Sequence, residues 1–311
     1  MTSFIILKLI ILQKLVTIGL YESKEGNYMS IKIVSDSTCD LSQELINRYN
    51  ISILPLHILL GENEYNDGQN ISAEDIYKWS DENKATPRTS APSIDEAIKL
   101  FESLSADGSE IISFSISQSM SASNNVMRLA AEELELEDRI HIVDSANLST
   151  GIGLLVVEAA IMASEGKSSA DILAEIEALK PRVRASFVVD TLTYLHRGGR
   201  CSGLAALAGG ALKLHPRIDV VDGKMGASKK YRGKMSHVTM SYVKELTEEL
   251  IAAKPDRVFI THSGCDAELV DSVREYLESL HTFNEILETR AGGVVSSHCG
   301  PGTLGVLYII K

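Results

Sequence analysis

The chain has 311 residues, 44% of them apolar and 23% charged, and carries a formal net charge of −12 at pH 7. That composition is ordinary for a soluble globular protein, and the length exceeds what one core usually covers, so two domains are expected. The acidic balance argues against a general binder of nucleic acid or of membrane surfaces, both of which favour basic chains.

Residues 4–20, FIILKLIILQKLVTIGL, are apolar but interrupted by Lys8, Gln13 and Lys14. They fall short of the roughly 20 uninterrupted apolar residues a membrane helix needs, so no stable membrane span is expected. The segment also lacks the basic start and small-residue cleavage site of a signal peptide. Met29 directly precedes a good first strand. Residues 1–28 therefore read as an upstream extension outside the fold, with membrane anchoring as the alternative.

From there the pattern alternates. IKIVSDS (31–37) reads as a buried strand, and DLSQELINRYN as a helix capped by Asp40. ISILPLHILL (51–60) is strand-like, with Pro55 marking an edge or a kink. Segments starting at Ser72 and Ser93 carry the Ser-x-x-acid capping signature of helices. EIISFSIS (110–117) and RIHIVDS (139–145) read as strands around the helix ASNNVMRLAAEELE. Two more helices follow, GIGLLVVEAAIMASEG and SSADILAEIEALKPRV, the second stopped by Pro181. Strands are then expected at 184–192, 217–225, 257–264, 284–292 and 302–310, around two long helices. Strands separated by helices imply a largely parallel sheet in an N-terminal α/β domain, 29–180. The more mixed order beyond implies a C-terminal mixed α/β domain, 181–311.

Local enzyme signatures are missing: there is no G-x-S-x-G, no H-E-x-x-H, and no G-x-G-x-x-G after a strand. A phosphate loop at GKS (166–168) would need glycine where Ile161 stands. Neither the eight histidines nor Cys39, Cys201, Cys265 and Cys299 show metal-ligand spacing. Scattered thiols suit a reducing cytoplasm, the expected location.

Four polar segments remain, each at a strand end or a helix start. PRTSAPS (87–93) is expected to offer free helix N–H groups near Thr89 and Ser90. SISQSMSAS places serines at 115, 117, 119, 121 and 123, too many hydroxyls for a core strand face. LHRGGRCSG sets two glycines between Arg197 and Arg200, and SSHCGPGTLG presents His298 on a glycine-proline turn. Hydroxyls, helix N-termini, an arginine and a histidine together favour an anion, a carboxylate or phosphate. SKKYRGKMSH adds a basic patch of Lys229, Lys230, Arg232 and Lys234, either a solvated turn or a docking surface.

These segments, in this order, resemble the DegV family of bacterial fatty-acid-binding proteins from about Ile31 onward. SDSTCDLS matches its opening, TSAPS its T-S-x-P-S, SQSMSAS its S-S-x-L-S-G-T loop, GGR at 198–200 its G-G-R, and HCGPG its His-x-Gly-Pro-Gly. The resemblance implies two α/β domains with one long-chain fatty acid between them. Thr89 and Ser121 would bind the carboxylate, with Arg200 and His298 near it and Ser90 and Ser119 as further contacts. It also implies a carrier that is not itself an enzyme and has no cofactor. Its partner would be the catalytic subunit of an ATP-dependent fatty acid kinase, whose acyl phosphate feeds phospholipid synthesis. Ala122 and Ser123 replace the family's usual Gly-Thr, which puts a left-handed loop backbone in question. The acyl tunnel is expected along GIGLLVVEAAIMA and SGLAALAGGALKL. Two rival readings stay open: a hydrolase using Ser121 or Ser119 with His298, and a sensor of another small anion.

Overall fold

The computed structural model describes residues 30–202 and 214–311. The expected extension 1–28, the start at Met29 and nearly all of the SGLAALAGGALKL segment lie outside those residues. Strand β1, Ile31–Asp36, runs into a single 3-10 turn before helix α1, Gln43–Arg48. The cap of α1 is Ser42, whose Oγ accepts from the Leu45 N–H at 3.3 Å, rather than Asp40. Asp40 instead ends the 3-10 turn at φ 50, a left-handed conformation that Asp tolerates better than most residues.

The segment at 51–60 is broken at Pro55, which has no N–H to extend a ladder. β2, Ile51–Leu54, pairs with β1, whereas β3, His57–Leu60, pairs with β4, Asn63–Asn66. Helix α2, Ala73–Asn83, comes before β5, Arg88–Ser90, and α3, Ile94–Ser105, after it. Both helices open with reciprocal capping boxes, Ser72 with Asp75 and Ser93 with Glu96, as the signatures imply. β6, Glu110–Ser115, α4, Ser123–Glu133, β7, Ile140–Asp144, α5, Thr150–Ser164, and α6, Ser169–Leu179, complete the first half.

The second half begins with β8, Val183–Val188, α7, Thr193–Gly198, and the short β9, Cys201–Ser202. The strand expected at 217–225 is a longer hairpin of β10, Leu214–Val221, and β11, Lys224–Arg232. Asp222 and Gly223 turn it at φ 48 and 73, the paired positive dihedrals of a tight hairpin turn. The basic SKKYR segment is therefore strand, not turn. Helices α8, Met235–Glu245, and α9, Thr247–Ala252, lead to β12, Arg257–His262, and α10, Ala267–Ser279. β13, Glu285–Arg290, α11, Gly293–Cys299, and β14, Leu304–Ile309, follow.

The strands form a parallel sheet, β2-β1-β6-β7, a mixed sheet, β13-β12-β14-β8-β10-β11-β9, and a small antiparallel sheet, β4-β3-β5. This is the α/β architecture implied by the sequence, with an N-terminal parallel sheet and a C-terminal mixed one. Helix α5 joins them: Ile152, Leu154, Leu155, Val156 and Val157 are all fully buried. The core around α5 includes Ile33 and Ile112 of the parallel sheet together with Phe187 and Leu307 of the mixed one. A helix apolar all round is what a two-sided burial requires. Its small residues serve close packing rather than a tunnel: a Cβ at Gly153 would meet Leu41 Cδ2 at 2.8 Å. Among the described residues no helix is long and apolar enough to cross a membrane.

Candidate ligand-binding site

A cavity of about 270 Å³ lies between the two halves. Leu56, Ile116, Met120, Leu148, Met225 and Val294 give it apolar walls, and Thr89, Ser90, Ser121, Arg200 and His298 contribute polar groups. Leu148, Val295 and Cys299 also border a smaller pocket of about 30 Å³ that reaches Phe187 and Leu307 of the mixed sheet. Five of the six residues singled out in the sequence thus meet in one cavity. Ser119 is exposed and is not among its lining residues.

Thr89 reaches the cavity from a strand. It pairs with Ile58 in the β3–β5 ladder, and α3 starts only at Ile94. Ala91 precedes a proline, which disfavours a helical backbone there, so the free helix amides expected near Thr89 and Ser90 are not formed. His298 likewise sits in the last turn of α11, not on the glycine-proline turn, which begins at Gly300 with φ 75 and ends the helix. The run VVSSHC has little intrinsic helix preference. The helix is held by side-chain and tertiary contacts, such as Ser297 Oγ donating to the Gly293 carbonyl at 2.7 Å.

Thr89 Oγ1 and His298 Nε2 are hydrogen-bonded at 2.8 Å. Burial, helped by the Arg200 charge, pulls the His298 imidazole down to about 4, so it is neutral near pH 7. Its Nδ1 is buried and has no hydrogen-bond partner. The two glycines of GGR have separate tasks. A Cβ on Gly198 would overlap His298 Nδ1, and Gly199 takes φ 68 to end α7. Arg200 is exposed at the rim and donates to the Gly198 carbonyl at 2.7 Å.

The serines divide their work. Ser115 Oγ accepts from Asn124 Nδ2 at 3.0 Å, and Ser117 Oγ donates to the Gly223 carbonyl at 2.7 Å, tying the loop to the β10–β11 hairpin. Ser121 Oγ accepts from the Ser123 N–H at 3.3 Å and lies 2.9 Å from Ser123 Oγ. Ala122 has φ −81, so the loop needs no left-handed residue there and the alanine is unstrained. No hydrogen bond among the described residues joins Ser121 to His298, and no carboxylate orients the imidazole, so a nucleophile–base relay is not assembled. Among the described residues no group of three His, Cys, Asp or Glu side chains could hold a metal ion.

Two buried acids at the helix that bears His298 have a setting that the sequence does not show: Asp40 reads there as a cap, and Asp67 is not singled out. Asp40 and Asp67 are 5% and 2% exposed, and both face the start of the helix that bears His298.

The fold is that of a family, and the chain belongs to it: the DegV family, described as "Uncharacterised protein, DegV family", matches residues 30–311. A DegV domain-containing protein of Deinococcus radiodurans is 32% identical over 280 residues, covering 89% of this chain and 98% of that one. A DegV family protein from Thermus thermophilus, described for its fatty acid binding, is 31% identical with a TM-score of 0.82, covering 91% of this chain and 100% of that one. A stearic acid-binding protein from Eubacterium ventriosum is 31% identical with a TM-score of 0.79, over 90% and 98% of the two chains.

Proposed function

We propose that the protein binds one long-chain fatty acid in this cavity and presents the carboxylate to a separate ATP-dependent kinase, which makes the acyl phosphate. Thr89, Ser121, Arg200 and His298 are its head-group residues. Residues 29–180 and 181–311 act as two domains flanking the ligand, the first supplying Thr89 and Ser121, the second Arg200 and His298. Such a carrier works in the cytoplasm, without catalysis of its own.

The observation that carries this reading is the joining of two hydroxyls to one apolar cavity, each already hydrogen-bonded to a protein partner, Ser121 to Ser123 and Thr89 to His298. Ser121 Oγ takes the Ser123 amide proton. An anionic head group selects the tautomer in which His298 Nε2–H donates to Thr89 Oγ1, which frees the Thr89 proton for the ligand. The apolar walls supply most of the affinity. About 15 methylenes at roughly 0.8 kcal/mol each give on the order of 10 kcal/mol gross. Hydrogen bonds to a charged head add about 1.5–3 kcal/mol and set orientation. Exposed Ser90 and Arg200 at the rim leave the head group open to an approaching enzyme. The test is mass spectrometry of protein purified after bacterial expression. A stoichiometric fatty acid released on denaturation is expected, and a protein that is empty and also ignores added fatty acid would overturn the reading.

A further inference from the structure

Helix α11 has His298 near its C-terminal end, and its N-terminal end is held by two buried carboxylates. Asp40 Oδ1 accepts from the Gly292 N–H at 2.8 Å, and Asp67 Oδ1 accepts from the Gly293 N–H at 2.7 Å. Their second oxygens are also engaged. Asp40 Oδ2 takes the Ser149 hydroxyl at 2.5 Å, and Asp67 Oδ2 takes the Ser37 hydroxyl at 2.8 Å. Ser149 is the residue before α5, and Ser37 opens the turn after β1. The two carboxylates thus reference the start of α11 to the core helix and to the parallel sheet.

The two glycines fit closely against the carboxylates, which also line a cavity with Arg290 on its wall. A Cβ at Gly292 would lie 3.1 Å from Asp40 Oδ1 and 3.3 Å from either Asp67 oxygen. A Cβ at Gly293 would lie 3.0 Å from Asp67 Oδ1 and 2.9 Å from Ile76 Cδ1. No ion pair among the described residues reaches either carboxylate. Their partners are hydroxyls and the free amide groups of a helix start, which fix where each carboxyl oxygen sits. Five residues on, at about 1.5 Å per residue, the same short rod delivers His298 to Thr89. A small shift at its start is passed to that hydrogen bond.

We infer that Asp40 and Asp67 are positioning residues of the head-group site: by clamping the start of α11 they set the His298–Thr89 hydrogen bond at its other end. This rests on the fatty-acid reading for its ligand arm, so the experiment has a second arm that uses no lipid. Asp40→Ala, Asp67→Ala and the milder Asp67→Asn are compared with wild type. The first measurement is the affinity for a long-chain fatty acid and for the alcohol of the same chain length. A positioning role predicts that the alanine variants lose about tenfold for the acid and less than twofold for the alcohol. Asp67→Asn keeps an oxygen for the Gly293 amide and should restore most of the loss. The second measurement is the imidazole ¹⁵N shifts of His298 in ligand-free protein, which should move in the alanine variants and return in Asp67→Asn. Equal losses for acid and alcohol, or unmoved His298 shifts in folded alanine variants, would overturn the inference. A wild type that bound no fatty acid would overturn the functional reading instead, and the His298 shifts would still decide the positioning role.

Discussion

Thr89 Oγ1 and His298 Nε2 lie 2.8 Å apart although 209 residues separate them in the chain. One comes from a three-residue strand and the other from a seven-residue helix, neither long enough to form alone. The bond exists because the small sheet and α11 are packed together. Ile58 of β3 is the register partner of Thr89 and also fills the space beside Gly293. The Thr89–His298 pairing is thus a product of tertiary packing.

The two hydroxyls should be separable by titration calorimetry. Thr89→Ala and Ser121→Ala are each expected to weaken fatty-acid binding by about 1–3 kcal/mol, the cost of a lost partner for a buried polar group. If both donate to one carboxylate, the double variant loses less than the sum. Unchanged affinity in both single variants would place the head group elsewhere.

Gly198→Ala tests the histidine from behind. The added Cβ would overlap His298 Nδ1, so the ring must leave its position against Thr89. Binding is expected to fall about as far as in His298→Ala, with a stability loss of about 1–3 kcal/mol typical of overpacking. Full affinity in Gly198→Ala would mean that the ring position does not matter.

Stability should depend on pH through Asp40. Burial, reinforced by the charges of Asp67 and Asp36 and opposed by the Ser149 and Gly292 hydrogen bonds, pushes its carboxyl from 3.8 up to about 8. Between those values the folded protein holds a proton that the unfolded chain has lost. The contribution is therefore full below 3.8 and is lost as pH rises toward 8. His298 moves the other way, from 6.5 down to about 4, and weakens the fold as pH falls through that range. The window from about pH 6.5 to 8 excludes the His298 effect. The unfolding free energy from urea titrations should drop across that window in wild type, by at most about 1.4 kcal/mol per pH unit from this one group. In Asp40→Asn the drop should be smaller. An equal drop in both proteins would remove Asp40 as the cause.

The basic strand offers a kinetic test of the proposed kinase partnership. Lys229 is paired with Glu245 at 2.7 Å, so its charge is partly spent. Lys230 and Arg232 are exposed and alternate with buried Tyr231, which puts them together on the opposite strand face. Reversing both charges is expected to slow acyl phosphate formation in a reconstituted assay severalfold, more at low salt, with fatty-acid binding unchanged. A wild-type rate and salt dependence would reduce the patch to a solvated strand face.

What could be read from the sequence was local. The capping boxes at Ser72 and Ser93 depend on residues three apart, and both form as read. The strand–helix alternation gave the parallel sheet because its periodicities extend over whole elements. Thr89 and His298 stand out in the sequence by residue type, but their settings on a strand and a helix do not, since β5 and α11 draw their stability from distant partners. The Asp222-Gly223 turn has a readable signal, an Asp-Gly pair between strand-like runs, although the single strand expected at 217–225 runs through it. Asp40 looked like a helix cap because it stands just before a polar helix start. Its left-handed backbone, which turns the carboxylate inward, has no signature in composition or spacing.

The strand order has a consequence for biosynthesis. β14 inserts between β12 and β8, pairing antiparallel with both. On the ribosome β8 emerges long before β14, and until β14 arrives the mixed sheet is two unconnected ribbons, each with an apolar edge bare. Such edges invite pairing with the wrong chain. α11, with Val294 and His298, emerges only shortly before the closing strand. The nascent protein therefore passes through a stage in which most of its residues are made but it can neither shield those edges nor close the cavity that Thr89 and His298 share, and a chaperone's protection would matter most at that stage.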